Sequence, residues 1–281
     1  MNYRHAFHAG NFADVVKHLI LVRIIHYLKR KPAPFRVIDT HAGPGLYDLQ
    51  GDAANRTGEW VEGIGRVMDA LTGEAAELAT PYFDAIKARN ADGALRFYPG
   101  SPLITRHLLR EQDRLFGLEL HPQDSDTLRE NFAGDWQARV THLDGWAALG
   151  THLPPKEKRG LVLVDPPFEE RGEFPRMVAA LGKAHRRWPG GIYAFWYPVK
   201  DPVEVGQFVR ELRATGIGKI LRVELTISRP TTPPTLHGTG MIVVNPPFAL
   251  ESELAILLPP LAELLGRDGQ GRWLVEWVAG E

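Results

Sequence analysis

The chain has 281 residues, enough for one large domain or one and a half, and 44% of them are hydrophobic, enough for a sizeable core. Cysteine is absent, which excludes disulfides, thiol catalysis and cysteine-based zinc sites. The net charge of −1 excludes a global basic field, so any nucleic acid must be held by local surfaces.

The N-terminal Met1-Asn2-Tyr3-Arg4-His5 is polar and lacks the apolar stretch of a secretory signal. No run of 18 apolar residues follows, so no membrane span is expected and the cytoplasm is the expected location. Asn11 reads as a helix N-cap with Asp14 three residues on, a variant of the capping box. Val15, Val16, Leu19, Ile20, Ile24 and Leu28 recur at helical spacing, and Pro32 closes that helix. Residues 35–39 predict a buried strand ending in Asp39, followed by the tight loop Thr40-His41-Ala42-Gly43-Pro44-Gly45. From about 49 to 97 the apolar residues (Trp60, Ile64, Val67, Met68, Leu71, then Leu78, Phe83, Ile86) are spaced for helices, with no clear strand. This predicts a helical insertion at 49–97 within a main domain of 1–48 and 98–281. Ser101 is expected to cap the next helix, with Pro102 in its first position, running to about 111.

Beyond this point strands at 114–118, 139–143, 160–164, 191–196, 219–225 and 240–244 alternate with helices at 124–132, 174–187 and 203–215. That alternation predicts a doubly wound α/β sheet. The polar, proline-rich stretch 228–238 joins the last two strands without room for a long helix, so they should form an antiparallel hairpin. A helix at 252–265 and an apolar segment at 273–278 finish the chain.

Ligands of an open α/β sheet sit at the carboxyl ends of its strands. Four successive strands end in carboxylates: Asp39, Glu119, Asp144 and Asp165. The loop after the first carries Gly43 and Gly45 but is not GxGxxG, which argues against a nicotinamide site with its pyrophosphate. Glu119 is placed to accept two ribose hydroxyls, and Asp144-Gly145, beside Trp146, to meet a purine amine. Asp165-Pro166-Pro167-Phe168 offers a carboxylate, a free carbonyl and an aromatic face, which is what a planar base with an exocyclic amine needs. Taken singly, Asp39 and Asp144 read as helix caps rather than ligand contacts, Glu119 as a solvated acid and the glycines as turn residues. Their order on successive strand ends favours a nucleoside-bearing cofactor without phosphates, S-adenosylmethionine.

Tyr3, Arg4, His5, Phe7, His8, Lys17 and His18 interleave aromatic and basic groups near the N-terminus. Such a set suits a flipped base and its flanking phosphates, with Tyr3 and His5 as the RNA contacts. Lys17 and His18 are expected to face the cofactor tail from the first helix. A metal site from His5, His8 and His18 ranks below this reading, because His-x-x-His here has no companion at ligand spacing; no metal is expected. Phe7 reads equally well as a staple on the first helix. Basic clusters at 29–31, 156–159 and 183–187 read mostly as solvated helix ends, where positive charge is favoured, with an RNA path along one of them as the alternative.

At this point the chain resembles the RlmJ family. The resemblance is carried by Tyr-Arg-His-Ala-Phe-His-Ala-Gly-Asn at 3–11, Ala-Asp-Val-Val-Lys-His at 13–18 and Asp-Thr-His-Ala-Gly-Pro-Gly at 39–45. Arg-Thr-Gly-Glu at 56–59, Tyr-Pro-Gly-Ser-Pro at 98–102, Asp-Pro-Pro-Phe at 165–168 and Ile-Tyr-Ala-Phe-Trp-Tyr-Pro at 192–198 extend it over nearly the whole chain. It implies a Rossmann-like S-adenosylmethionine-dependent methyltransferase fold: a mixed sheet with an antiparallel last strand and a small helical insertion after the first strand. It implies methylation of the exocyclic N6 of adenine 2030 in 23S ribosomal RNA. Lys17, His18, His41, Ser101, Glu119, Asp144 and Gly145 would contact the cofactor, Asp165 would be catalytic beside it, and Tyr3 would contact substrate. Phe168 departs from the tyrosine of many relatives, which keeps a stacking face and loses a phenol. The expected partner is 23S ribosomal RNA in an unassembled or early-assembly state, bound by a monomer with no membrane contact.

The expected chemistry is an in-line displacement. A flipped adenine stacks on Phe168, and its amine donates to the Asp165 carboxylate and the Pro166 carbonyl, turning the nitrogen lone pair toward the methyl. The chain carries a second copy of the tetrapeptide, Asn245-Pro246-Pro247-Phe248. It ends a strand expected to run antiparallel, so it should lie at the opposite sheet edge as a structural turn. Three rival readings are DNA adenine or protein amide methylation, a metal-dependent hydrolase using the N-terminal histidines with Asp39 and His41, and a non-catalytic RNA-binding protein on a methyltransferase scaffold.

Overall fold

A computed structural model describes residues 5–280. After a single 3-10 turn at His5–Phe7, the first helix, α1 (Phe12–Lys29), starts at Asn11, whose side chain accepts from the N–H groups of Ala13 and Asp14. The expected cap is therefore in place, but Asp14 closes it one residue earlier than a capping box would, accepting from Gly10 N–H at 2.8 Å. Almost all of α1 is buried, including Lys17, His18 and Arg23. It is an internal helix, and its polar residues need partners inside the protein.

β1 (Arg36–Asp39) leads into a small antiparallel pair, β2 (Leu46–Asp48) and β3 (Phe97–Pro99). Between these lie α2 (Asp52–Thr57), α3 (Glu59–Glu62), α4 (Ile64–Val67) and α5 (Gly73–Lys87). α5 packs on α1 within the same core that covers one face of the sheet. The three-residue strands were not expected from the sequence, since so short a run shows no alternation. α6 (Ser101–Leu108) begins at Gly100, so Ser101 is the first helical residue and not the cap.

β4 (Arg114–Glu119), α7 (Pro122–Asn131), β5 (Ala138–His142), α8 (Gly145–Thr151), β6 (Gly160–Val164), α9 (Glu173–Arg187), β7 (Ile192–Val199) and α10 (Pro202–Ala214) follow in turn. The chain ends with β8 (Ile220–Thr226), β9 (Gly238–Val244), α11 (Leu250–Leu265) and β10 (Arg272–Ala279). The main sheet has eight strands in the order β10-β8-β9-β7-β6-β1-β4-β5. On β6, Leu161 and Leu163 enter the core shared with α1, α5 and α11, while Val162 and Val164 enter the core under α9 and α10. The continuous apolar run of β6 is that of a strand covered on both faces.

β9 runs antiparallel to both β7 and β8, as the hairpin reading expects. The apolar segment near the C-terminus is also a strand, β10, antiparallel to β8. The sheet thus carries two reversed strands instead of one. Because β9 is reversed, Asn245 emerges at the edge where β7 begins, and its side-chain amide donates to the carbonyls of Pro189 and Gly191, each at 2.8 Å. Among the described residues, no helix is long and apolar enough to cross a membrane.

Candidate functional site

The chain leaves β1 for β4 on one side and returns from β5 to β6 on the other. This reversal opens a crevice at the carboxyl ends of β1, β4 and β6. A cleft of about 450 Å³ lies there, the size of a small-molecule site. Its wall includes His5, Lys17, His18, His41, Gly43, Ser101, Glu119, Asp144, Gly145 and Asp165, so ten expected site residues meet in one place. Carboxylates outnumber cations on this wall, which suits a cationic ligand better than a pyrophosphate.

Glu119 at the end of β4 accepts from Gly43 N–H at 2.8 Å through Oε2 and from His121 N–H at 2.7 Å through Oε1. Both oxygens are thereby aimed, and each keeps a lone pair for a hydroxyl. Burial raises its pKa above the usual carboxylate value, against the pull of these backbone donors. Asp144 is the N-cap of α8, accepting from Trp146 N–H at 2.9 Å. Asp144 both caps α8 and lines the cleft, because the cap fixes one of its oxygens at the cleft wall. A Cβ on Gly145 would lie 2.0 Å from the Thr40 carbonyl oxygen, so that backbone contact tolerates no side chain. The Arg176 guanidinium lies 4.9 Å from the Trp146 ring centre, and His41 meets the same ring edge-on at 5.5 Å. Burial, with Arg176 nearby, pushes the His41 pKa down to about 3, so its imidazole is neutral.

Asp39 is fully buried beneath this wall. Its Oδ2 accepts from Ser101 Oγ at 2.6 Å, while its buried Oδ1 has no partner within the protein. Burial is the main force that pushes its carboxyl up to about 7. An orphaned acidic oxygen behind a carboxylate-rich wall fits a cofactor that brings positive charge and N–H donors, as S-adenosylmethionine does. His18, its pKa pushed down to about 3 by burial, shares a 2.6 Å hydrogen bond with the Tyr98 hydroxyl.

Asp165 enters from the end of β6 and meets Lys17 Nζ at 2.5 Å. Lys17 is also bound to Asp14 at 2.7 Å, and Asp14 accepts from His5 Nε2 at 2.9 Å. The order is His5, Asp14, Lys17, Asp165, a continuous string with Asp14 and Lys17 buried at its centre. Burial opposes the Lys17 ammonium, yet the two carboxylates hold its pKa above the ordinary lysine value. Burial likewise opposes the Asp14 charge, and His5 and Lys17 overcome it to hold that carboxyl well below its usual range. Lys17, expected as a cofactor contact, thus also clamps one oxygen of Asp165 and leaves the other open to the cleft. Asp14 was read from sequence as a capping residue only. Its i,i+3 spacing to Lys17 on an apolar helix was the signal that the pair shares a buried face.

Pro166 and Phe168 do not line the cleft. Pro166 is buried, and Phe168, with φ of 51°, turns its ring edge-on to Phe174 at 5.1 Å and Trp196 at 5.8 Å. An aromatic after two prolines was expected to face the ligand; here the aromatic cluster between α9 and β7 takes the ring. Tyr3 lies outside the described residues. The N-terminal histidines go to three partners, His5 to Asp14, His8 to Glu59 and His18 to Tyr98. Among the described residues no group of three or more histidines and carboxylates is arranged to hold a metal.

The chain is similar in sequence to the Ribosomal RNA large subunit methyltransferase J of Escherichia coli strain K12, with 45% identity over 100% of both chains. It is 42% identical to the protein of the same description from Haemophilus influenzae, again over 100% of both. The crystal structure of protein LPL1258 from Legionella pneumophila has a TM-score of 0.88 at 35% identity, covering 96% of this chain and 98% of that one. Residues 32–279 match one family along their whole run. The chain belongs to that family, Ribosomal RNA large subunit methyltransferase D, RlmJ.

Proposed function

We propose that this protein transfers a methyl group from S-adenosylmethionine to the exocyclic N6 of one adenine in 23S ribosomal RNA, adenine 2030 by family resemblance. The observation that carries the reading is Asp165 at the end of β6, clamped by Lys17 in the same cleft as Glu119 and Asp144. The family membership supports the reaction class. The cofactor, when bound, supplies a methyl activated by a sulfonium. Glu119 would hold the ribose hydroxyls, with Gly43 fixing that carboxylate. Asp144, Gly145 and His41 would bound the base, while Asp39 through Ser101, together with His18 and Lys17, would face the amino-acid end.

The target amine would donate one hydrogen to the open oxygen of Asp165 and one to the Pro166 carbonyl. These two acceptors draw the nitrogen out of conjugation with its ring, so the lone pair points at the methyl. The N–C bond would form as the methyl–sulfur bond breaks and a neutral thioether leaves; the positive charge then on the nitrogen would be stabilised by the Asp165 carboxylate, which accepts the proton. The Lys17 ammonium, 2.5 Å from the Asp165 carboxylate, fixes its rotamer. Stacking on Phe168 requires the ring to leave Phe174 and Trp196 as the base enters. Tyr3 and His5 would hold the flipped nucleotide.

The test is transfer of labelled methyl to unmodified 23S RNA fragments, with the product base mapped. One N6-methyladenine is expected, and a different product or no transfer would overturn the reading. We further propose that the RNA is unassembled or early-assembly, that the enzyme acts as a monomer in the cytoplasm, and that residues 49–97 form an inserted helical unit. Assembled particles in the same assay and light scattering on the purified protein test the first two.

Two substitutions discriminate within the site. Glu119→Ala is expected to weaken cofactor binding by about tenfold or more, the worth of hydrogen bonds to a charged acceptor, as read by calorimetry. Asn245→Ala is expected to leave turnover unchanged. It removes two hydrogen bonds at a position with φ of 52°, which should lower stability by about 2 kcal/mol in urea unfolding. A large loss of turnover in that variant would return the second tetrapeptide to candidacy.

A further inference from the structure

The Arg56-Thr57-Gly58-Glu59 turn, between α2 and α3, is a sequence block that the cleft itself does not use. It lies against the N-terminal segment. Thr57 Oγ1 donates to the Phe7 carbonyl at 2.5 Å. The Glu59 carboxylate accepts from His8 Nδ1 and from Asn11 Nδ2, each at 3.0 Å. The Ile64 N–H donates to the Gly10 carbonyl at 2.8 Å. The backbones touch here, since a Cβ on Gly63 would stand 2.1 Å from that same oxygen. The Glu59 hydrogen bond raises the His8 pKa, with burial opposing it.

Thr57, Glu59, His8 and Asn11 do not line the cleft, whereas His5 does. His5 is held from the other side by Asp14. The segment ahead of α1 is therefore fastened at two places, to α1 through His5 and to the insertion through residues 7–11. Among the described residues of that segment, the secondary structure is one 3-10 turn, His5–Phe7. A stretch with so little internal bonding loses about 1–2 kcal/mol of backbone entropy per residue when fixed, and outside contacts must offset that loss.

We propose that the 56–59 turn is a clasp that holds the N-terminal segment in its RNA-binding position over the cleft, with Glu59 as a positioning residue. This rests on the reading that the segment meets RNA. Loosening the clasp lowers the population of the binding-competent arrangement, and apparent RNA affinity falls by that fraction while chemistry after binding is unchanged.

The test compares wild type with Glu59→Ala, Glu59→Gln and Thr57→Val. RNA KM and kcat are measured on a 23S fragment, cofactor Kd by calorimetry and melting temperature by scanning fluorimetry. In Glu59→Ala the RNA KM should rise about tenfold, the worth of losing charge-assisted hydrogen bonds. Its kcat, cofactor Kd and melting temperature should stay near wild type. Glu59→Gln and Thr57→Val should fall between, because glutamine still accepts from Asn11, and valine removes the Phe7 contact and a longer one to Ala54 but leaves those of Glu59. An unchanged KM in Glu59→Ala overturns the clasp. So does a parallel loss of kcat, cofactor affinity and melting temperature, which marks a structural brace. If wild type itself transfers no methyl, the reaction assignment fails instead. Hydrogen exchange at residues 8–11 then still reads the clasp: protection should drop in Glu59→Ala, and unchanged protection overturns it.

Discussion

Asp165→Ala is expected to lower methyl transfer by on the order of 10²–10³-fold or more, as loss of a group aimed at developing charge does, with cofactor Kd nearly unchanged. The reason is geometric. Asp165 is one wall of the cleft, whereas the proposed cofactor contacts Glu119, Asp144 and Ser101 line it independently of that residue. Asp165→Asn sharpens the result. The amide can still accept through its oxygen, but it has no charge with which to stabilise the amine, and its pairing with Lys17 is gone. Folding is a small concern in both variants, because Lys17 keeps Asp14 at 2.7 Å. Single-turnover assays beside cofactor calorimetry decide the matter, and wild-type rates in Asp165→Ala would remove the residue from the chemistry.

Asp14→Ala should give the largest loss of stability, about 3–5 kcal/mol, the range for breaking a buried ion pair by removing one partner. Asp14 is 1% exposed and Lys17 4% exposed, so neither charge has water to turn to. Lys17 would keep only Asp165, and His5 would lose its anchor. The pH dependence has a definite sign. His5 and Lys17 hold the folded Asp14 carboxyl well below the usual aspartate range, against the effect of burial. Its contribution is therefore fully present above the unfolded pKa and is lost as pH falls through the folded one. The stability gap between wild type and Asp14→Asn should be constant from neutral pH down to about 4, the unperturbed aspartate value, and narrow below it. Urea unfolding across that range would show this, and a gap that widens on acidification would contradict it.

Several features of the site were legible in the residues themselves. A period-two or continuous apolar run that stops at a carboxylate marks a strand end, and in a parallel sheet strand ends share one edge. That is why Asp39, Glu119, Asp144 and Asp165 could be grouped before any coordinates, and three of them line the cleft directly while Asp39 lies beneath it. Asn245 could be set aside because the linker before its strand was too short and too polar for a crossover helix. Less legible were elements whose pattern is brief. β2 and β3 have three residues each, and β10, with Trp273 and Trp277 both 43% exposed and Val278 its one fully buried residue, shows no alternation from which to read a strand.

By itself, then, the sequence determined the α/β alternation, the reversed strand β9 and the carboxylates at the sheet's active edge, because local periodicity and turn chemistry act within a few residues of each other. Tertiary structure alone decided the partners. Lys17 meets Asp165 from 148 positions away, Glu59 reaches His8 from 51, and Phe168 turns into an aromatic cluster supplied by Phe174 and Trp196. Which opposite charge a buried lysine finds, and which cavity an aromatic ring fills, depend on how helices pack across the sheet. No spacing along the chain encodes that packing.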